Sequence, residues 1–143
     1  MTIPEGWRKL DFDGRFAHLD THFTDHVGPV FVRGQENALQ LGFRVEPHMC
    51  NPAGICHGGM LMTVMDVGLA FVLHNARGQH SFTPSVSFSF DFLRPGRLGD
   101  FLVCEGEVTR TTKSTGFVSG RLCGPDGPVI TGSGIFKITA ITV

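Results

Sequence analysis

The 143-residue sequence predicts an α+β fold in which an antiparallel sheet of about six strands wraps around one long central helix. Three observations lead to this prediction. A long apolar segment without strand-like alternation lies in the middle of the chain. Segments of alternating polar and apolar residues follow it, separated by short turn signals. Nineteen glycines and eight prolines are spread along the chain, which indicates many turns and therefore several strands.

Length and composition describe one ordinary domain, here residues 1–143. The chain is 41% hydrophobic and 17% charged, which is enough apolar material for a buried core. Its formal net charge of −1 gives no electrostatic reason to expect nucleic acid or an anionic membrane as a partner. The four cysteines lack a zinc-like spacing, and the first residues lack the apolar core of a secretory signal. We therefore expect a cytoplasmic protein with reduced thiols.

The first predicted element is an N-terminal helical segment within residues 1–27. Gly28-Pro29 should end it, and two strands should follow over 28–34 and 38–47. The helix prediction depends on four apolar residues at spacings of four, three and four, the period of one helical face: Phe12, Phe16, Leu19 and Phe23.

The central helix is predicted over 57–77. Its apolar run from Gly58 to Leu73 is too long for a strand. The run is shorter than the roughly 20 residues of a membrane span and has Asp66 in its middle, so a transmembrane segment is not expected. Because the run has almost no polar side, the helix must be covered nearly all round. A curled sheet leaves one flank open, and a second subunit is the natural cover.

Beyond Gly78 the pattern changes to period two. Three long strands are expected over 100–112, 115–124 and 128–141, and the short turns between them predict antiparallel neighbours in sequence order. The segment 85–92 predicts a half-buried strand in which serines and an aspartate alternate with four apolar residues: Val86, Phe88, Phe90 and Phe92. The phenylalanine face is expected to pack in the core.

Asp66 is the first candidate for chemistry. A carboxylate in an apolar helix must be paired, hydrogen-bonded or neutralised, because burying it without a partner costs free energy. Such a carboxylate can act as a general base. The alternative is a structural aspartate that is hydrogen-bonded at a subunit interface.

The loop 51–60, which leads into the helix, is the second candidate. Gly58 and Gly59 let another molecule approach the backbone where unbonded N–H groups point outward. A carbonyl oxygen that gains charge could accept a hydrogen bond from the Gly58 N–H, as in an oxyanion hole. The alternative is that the glycines close a tight turn and that His57 caps the helix.

His57 and Asp66 lie nine residues apart, about 13.5 Å along a helix. One helix cannot bring its own first turn to its own middle. If both groups belong to one site, Asp66 must come from a second copy of the chain. We therefore expect a homodimer, or a dimer of dimers, with two equal sites at the subunit interface.

Several residues stand together in one pattern: Asn51, His57-Gly58-Gly59, Asp66 and, at the end of a serine-bearing strand, Phe92-Leu93-Arg94-Pro95. This pattern resembles the hotdog-fold acyl-CoA thioesterases of the phenylacetic-acid-degradation type, over about residues 37–138. The spacing from Asn51 to Asp66 is the specific part of the resemblance. The strand order and the buried helix predicted above are those that the hotdog fold requires.

The resemblance implies hydrolysis of the thioester of an acyl-CoA, with the aromaticity and length of the acyl group left open. Asp66 would act as general base on a water, or as nucleophile, toward the thioester carbonyl, and the Gly58 N–H would polarise that carbonyl. No metal and no bound cofactor is implied, since coenzyme A arrives with the substrate. Two alternatives stay open: a non-catalytic protein of the same fold that binds acyl-CoA or an aromatic ligand, and a less well matched hotdog dehydratase.

The resemblance also implies supporting roles around these two groups. His57 and Asn51 would hold the loop and orient the thioester or the water. Ser85 would help to position the water, with Thr83 as the neighbouring candidate if the loop at 78–84 shifts the alignment. The phosphates of coenzyme A have four basic candidates, for each of which a solvated surface charge is the alternative: Arg94, Arg97, Arg110 and Lys113.

Three further patterns favour structural roles. The spacing of His18, His22 and His26 would suit a metal ion but also fits a polar helix face. Cys56 beside His57 suggests a Cys–His nucleophile, although neighbouring residues rarely point at one another. Four residues of the central helix would either line an acyl pocket or simply pack in the core: Met60, Met62, Met65 and Phe71.

Overall fold

A computed structural model describes residues 2–11, 21–79 and 81–141 of the chain. The elements in chain order are β1 (Arg8–Lys9), α1 (Phe23–Val27), β2 (Phe31–Arg33), β3 (Gln40–Arg44), a 3-10 turn (Pro47–Met49), α2 (Gly58–Arg77), β4 (Ser85–Phe92), β5 (Phe101–Thr111), β6 (Thr115–Gly124) and β7 (Gly127–Lys137).

The strands of the described residues form one seven-stranded antiparallel sheet in the order β1-β2-β3-β5-β6-β7-β4. β5, β6 and β7 pair in sequence order, as predicted from their short turns. β3 pairs with β5, although α2 and β4 lie between these strands in the sequence. β4 pairs with β7 at the edge of the sheet. The predicted α+β architecture is confirmed. The sheet has seven strands rather than about six because the two-residue strand β1 pairs with β2.

α2 is the core helix, and it packs on the inner face of the sheet against β3, β5, β6 and β7. Glycines in the sheet make room for it: a Cβ on Gly120 would lie 2.8 Å from Leu69 Cδ2, and one on Gly116 would lie 2.7 Å from Leu73 Cδ1. The helix can approach the sheet this closely because glycine has no side chain at these positions. Four α2 side chains on this flank have no exposed surface: Val64, Met65, Leu69 and Leu73.

α2 runs to Arg77, beyond the apolar run, and ends at Gly78 in the left-handed conformation with φ 64°. By length and composition alone, this 20-residue helix could cross a membrane. The core helix of a globular domain meets the same criterion, and the packing of α2 against the sheet assigns it to the core. The opposite flank of α2 is half-buried in this chain, and Met62 on it is 42% exposed.

The predicted N-terminal helical segment is described only in part. Residues 12–20, which include most of the predicted apolar face and His18, lie outside the described residues. Helix is present over Phe23–Val27, where Gly28 follows as predicted, whereas Arg8–Lys9 forms the strand β1.

β4 is an exposed edge of the sheet. Phe88 and Phe90 pack against the core and cover Gly134 and Gly132 of β7. Phe92, however, is 53% exposed and Val86 is 65% exposed. The predicted core face of this strand is therefore right for Phe88 and Phe90 and wrong for Phe92. Among the described residues, the strand has a neighbour on one side only.

A one-residue bulge interrupts β4 at Val86. Ser87 pairs with Ile135 while Ser85 pairs with Phe136, so β4 holds one residue more than β7 between these pairs. Successive residues of a strand point to opposite faces, and a bulge reverses that order. Ser85 therefore lies on the α2-facing side, with Phe88, rather than on the outer side with Ser87. The strict alternation predicted for 85–92 is wrong at this position.

Candidate active site

Asp66 and Ser85 meet at the half-buried flank of α2. The Ser85 hydroxyl donates a hydrogen bond of 2.7 Å to Asp66 Oδ1. Asp66 is half-buried rather than deeply buried, and among the described residues no cation forms an ion pair with it. The carboxylate is therefore oriented by a neutral hydroxyl and keeps access to a reactant.

Thr83, the other serine-or-threonine candidate, lies elsewhere on the same flank. Its hydroxyl is 3.1 Å from Nε2 of His74, two helical turns beyond Asp66. The structure thus places Ser85 rather than Thr83 at the acid. His74 was not predicted; its position eight residues after Asp66, on the same helical face, is the signal that could have found it.

At the start of α2, one N–H group has no protein acceptor among the residues that the structure describes. His57 is the N-cap, and its Nδ1 accepts a hydrogen bond of 2.8 Å from the Gly59 N–H. Within the described ranges, no acceptor engages the Gly58 N–H. This donor lies at the positive end of a 20-residue helix, where a developing negative charge is stabilised. The His57 ring can therefore cap the helix through the Gly59 N–H while the Gly58 N–H stays available to a ligand.

Asn51 holds the loop that leads into α2. Its Oδ1 accepts hydrogen bonds from the backbone N–H groups of Ala53 (3.0 Å) and Ile55 (3.3 Å). The loop is fixed to its neighbours by the Cys56 N–H, which donates to the Gly96 carbonyl at 2.8 Å. The side-chain oxygen of Asn51 is therefore occupied in setting the shape of the loop.

Phe92 covers the first residue of α2. A Cβ built on Gly58 would lie 3.3 Å from the Phe92 ring. The end of β4 thus contacts the start of α2, while its beginning, at Ser85, contacts Asp66. Within one chain, Gly58 and Asp66 are eight residues apart on one helix, about 12 Å. One copy of the chain does not bring the acid and the available N–H together.

The four basic candidates divide into two groups. Arg94 donates to the Pro128 carbonyl at 2.7 Å, and Arg97 forms a 2.7 Å ion pair with Asp126. The bridge between Arg97 and Ile55 sets this first group beside the loop that leads into α2. Arg110 and Lys113 lie at the other end of the strand that begins at Phe101, about 33 Å away.

A Cys–His nucleophile is not formed. Cys56 Sγ contacts the backbone carbonyl of His57, at 3.8 Å, rather than its ring. Burial, and to a lesser degree the nearby Cys50, raises the pKa of the Cys56 thiol to about 12, which disfavours the reactive thiolate at neutral pH.

The histidine pattern near α1 is only partly described, since His18 lies outside the described residues. His22 is the N-cap of α1, and His26 Nε2 lies 3.4 Å from the hydroxyl of Thr21. In the ranges that the structure covers, no cluster of three or more His, Cys, Asp or Glu side chains is arranged to hold a metal ion.

The apolar side chains of α2 also divide by flank. Met60 and Met65 are buried in the core beneath the sheet. Met62 and Phe71 lie on the half-exposed flank, with the Phe71 ring against His74. Of the four predicted pocket residues, Met62 lies on the side of Asp66, one helical turn before it.

Comparison with known proteins adds three findings. Residues 53–131 match the sequence model of the thioesterase superfamily. The chain is 30% identical over 139 residues to "Putative esterase PA0474" of Pseudomonas aeruginosa, covering 96% of this chain and 98% of that protein. It is 35% identical over 90 residues to acyl-coenzyme A thioesterase PaaI of Escherichia coli, covering 63% of this chain and 62% of PaaI.

Solved structures share the fold. The E. coli PaaI protein superposes with a TM-score of 0.73 at 21% identity, covering 91% of this chain and 93% of that one. A hypothetical thioesterase protein of Streptococcus pneumoniae, crystallised with coenzyme A, superposes with a TM-score of 0.68 at 19% identity, covering 80% of this chain and 91% of that one.

Proposed function

This chain belongs to the thioesterase superfamily and has its hotdog fold, and from that premise we propose that it hydrolyses acyl-CoA thioesters at two equal sites of a homodimer. In each site, Asp66 of one copy would work opposite the Gly58 N–H of the other. A PaaI relative named an acyl-coenzyme A thioesterase and a structural neighbour with coenzyme A support this substrate class.

The chemistry needs few groups. A thioester carbonyl is electrophilic and a thiolate is a good leaving group, so one carboxylate and one or two N–H donors can suffice. The Asp66 carboxylate would take a proton from water as that water attacks the carbonyl carbon, or would attack the carbon itself. The carbonyl oxygen would accept from the Gly58 N–H as it gains charge, and collapse would release the coenzyme A thiolate and the carboxylic acid.

Ser85 would position the reactants. Its hydroxyl donates to Asp66 Oδ1, which fixes the orientation of the carboxylate. The lone pairs of that hydroxyl stay available to a water on the substrate side. Asn51 and His57 would act through the backbone, because both hold the loop that presents Gly58.

The contacts at the two ends of β4 are the observation on which the dimeric site rests. Pairing β4 antiparallel with the β4 of a second copy, about a two-fold axis that passes between the two copies of Ser89, would set the bulge at Ser85 and Val86 of each copy opposite Phe92 of the other. Because Ser85 contacts Asp66 and Phe92 contacts Gly58, the same pairing would bring the acid of one copy to the N–H of the other, twice.

The surface of this edge supports such a pairing. An unpaired strand edge offers rows of N–H and C=O groups to another strand. Large apolar side chains at or next to the ends of β4 are about half or more exposed in the single chain, as expected of side chains that a second copy would cover: Phe82, Val86, Phe92 and Leu93.

The phosphates of coenzyme A are assigned first to Arg94 and Arg97. Both lie beside the loop that presents Gly58, whereas Arg110 and Lys113 lie at the far end of the sheet. The partners of Arg94 and Arg97 are exposed and exchangeable, so a phosphate could replace them. Each of the four cysteines is a free thiol, which fits a reducing cytoplasm, and coenzyme A, as part of the substrate, is the only organic cofactor that the reaction needs.

Complementation between two inactive variants tests the shared site. Asp66→Asn removes the base, and Gly58→Pro removes the N–H at the first helical position, where proline is tolerated and where the extended His57 suits it. Gly58→Ala is the matched control, since it adds a Cβ but keeps the N–H. We expect a two-tag purified heterodimer of the Asn and Pro variants to regain about half the wild-type turnover, because one of its two sites is intact.

Two results would contradict the proposal. A heterodimer as inactive as its parents, with both variants dimeric and folded, would mean that no site combines Asp66 of one copy with the Gly58 N–H of the other. Equal turnover by the Gly58→Pro and Gly58→Ala variants would remove the N–H from the reaction.

A non-catalytic ligand-binding protein is the second candidate, because a structural aspartate would also accept the Ser85 hydrogen bond. A panel of short, long and aromatic acyl-CoAs, assayed with a thiol reagent, separates the two. Thiol release above the uncatalysed rate supports the enzyme, and binding of the panel without release supports the alternative.

A further inference from the structure

Two cysteines face each other across the loop that leads into α2. Cys50 and Cys56 form an antiparallel bridge, which the Asn51 N–H closes on one side by donating to the Ile55 carbonyl at 2.8 Å. On the other side the His57 N–H donates to the Met49 carbonyl, also at 2.8 Å. The hydrogen bonds thus flank the cysteine pair, which makes it a non-hydrogen-bonded pair, the closer of the two kinds.

This arrangement suits a disulfide. Residues in a non-hydrogen-bonded antiparallel pair have Cα atoms about 4.5 Å apart and side chains on the same face. Disulfides span Cα distances of roughly 4.4–6.8 Å. Both side chains here point to the core, since Cys56 is buried and Cys50 packs against the core cluster. A pair of this kind can be bridged without a rearrangement of the backbone.

We propose that Cys50 and Cys56 are a redox modification site that closes to an intramolecular disulfide on reaction with a low-molecular-weight disulfide such as glutathione disulfide. The half-buried Cys50 thiolate attacks one sulfur of the oxidant, forming a mixed disulfide and releasing one thiolate. Cys56 then gives up its proton, and its sulfur attacks the Cys50 sulfur and releases the second thiolate. Two protein thiols are oxidised, and one small disulfide is reduced to two small thiols.

The order of attack follows from accessibility. Cys56 is 4% exposed, and burial raises the pKa of its thiol to about 12, so it cannot easily reach or attack an oxidant first. Once Cys50 carries the mixed disulfide, the attack by Cys56 is intramolecular.

The other two cysteines provide an internal control. Cys104 pairs with Leu122, while Cys123 pairs with Val103, so the two cysteines lie on opposite faces of the sheet. Cys104 contacts Gly68 of α2, and Cys123 Sγ donates to Glu105 Oε2 at 3.8 Å on the other face. A disulfide between them would require the strands to rearrange.

Oxidation with glutathione disulfide, followed by thiol counting and peptide mapping, tests the proposal. We expect the wild-type chain to fall from four free thiols to two, with the loss of two hydrogens in mass and a single Cys50–Cys56 cross-linked peptide. The Cys104→Ser/Cys123→Ser double variant should form the same cross-link. Cys50→Ser should form no internal disulfide. The oxidised wild-type chain should melt about 5 °C higher than the reduced one, and a reductant should reverse the change.

Several outcomes would overturn this inference. They are four persistent thiols, a stable mixed disulfide on Cys50 that Cys56 does not resolve, a Cys104–Cys123 cross-link, and a disulfide between two copies. Peptide mapping of the wild-type chain decides among them even if a variant folds poorly. The inference rests on the loop geometry, so a chain without thioesterase activity would leave it standing.

Discussion

The two flanks of α2 differ in what they contribute to the molecule. The flank toward the sheet is fully buried. It packs on glycines of the sheet, for example Leu69 on Gly120. The flank toward β4 is half-buried, and its polar side chains form the Asp66–Ser85 and His74–Thr83 hydrogen bonds. Packing is thus concentrated on one side and polar chemistry on the other. Substitutions on the two flanks should therefore change different measurements.

The largest effect is expected from Asp66→Asn. Removing the carboxylate while keeping an oxygen that accepts from Ser85 should lower acyl-CoA turnover about a thousandfold, within the usual range for a general base. The melting temperature should change little, because Asp66 is half-exposed and forms no ion pair with a described residue. Steady-state kinetics and a thermal melt measure both. Turnover within threefold of wild type would end the proposed role of this acid.

Gly120→Ala lies on the opposite flank of α2, and it should change the stability of the protein rather than its turnover. Its Cβ would lie 2.5 Å from the Glu105 carbonyl oxygen and 2.8 Å from Leu69 Cδ2, so the strand or the helix must shift. We expect a loss of about 2–3 kcal/mol in the free energy of unfolding, measured by denaturant titration. Turnover per folded molecule should be retained. Ser119→Ala, one residue away, is the control and should cost little; equal losses for both would contradict the steric explanation.

Ser85→Ala and Thr83→Ala form a matched pair on the flank of α2 that faces β4. Loss of the hydroxyl that orients Asp66 should lower kcat about tenfold, the value of one hydrogen bond to a charged group. Thr83 contacts His74 instead, so its replacement should change kcat less than twofold. A larger effect at Thr83 than at Ser85 would mean that the strand is shifted in the working enzyme.

Arg97→Ala should have the smallest effect. The Arg97–Asp126 ion pair is exposed, so its loss should change the free energy of unfolding by less than about 0.5 kcal/mol. If Arg97 meets a phosphate of coenzyme A, KM for acyl-CoA should rise about three- to fivefold while kcat stays constant. Lys113→Ala, at the far end of the sheet, should leave KM unchanged. A rise of KM in the Lys113 variant alone would move the phosphate site there.

Most of the fold could be predicted because it is encoded locally. The bounds of α2 and of the three long strands followed from hydrophobic period and turn residues, and the structure agrees within a few residues. β1 could not be predicted, since two residues carry no period and the strand exists only by pairing with β2. The exposure of Phe92 was missed because alternation shows which face a residue is on but not whether that face has a cover.

The candidate site was less accessible to sequence reasoning. Asp66 and Gly58 could be singled out from residue type and context alone. Alternation by itself would turn Ser85 away from α2, and it was the family resemblance that pointed to this residue. The Val86 bulge, which reverses the face of Ser85, depends on pairing with β7 and leaves no signature in the residues of β4.

Because of the bulge, the contact between Ser85 and Asp66 depends on the number of residues between Ser85 and the regular part of β4. Deleting Val86 would leave a regular strand in which Ser85 still faces α2, whereas inserting one residue between Ser85 and Ser87 would turn the hydroxyl to solvent without changing any residue of the candidate site. Changes of length ahead of Ser85 would leave this count unaltered. Homologous chains that use this contact should therefore tolerate the loss of the bulge residue directly behind the serine, but not the insertion of a single residue there.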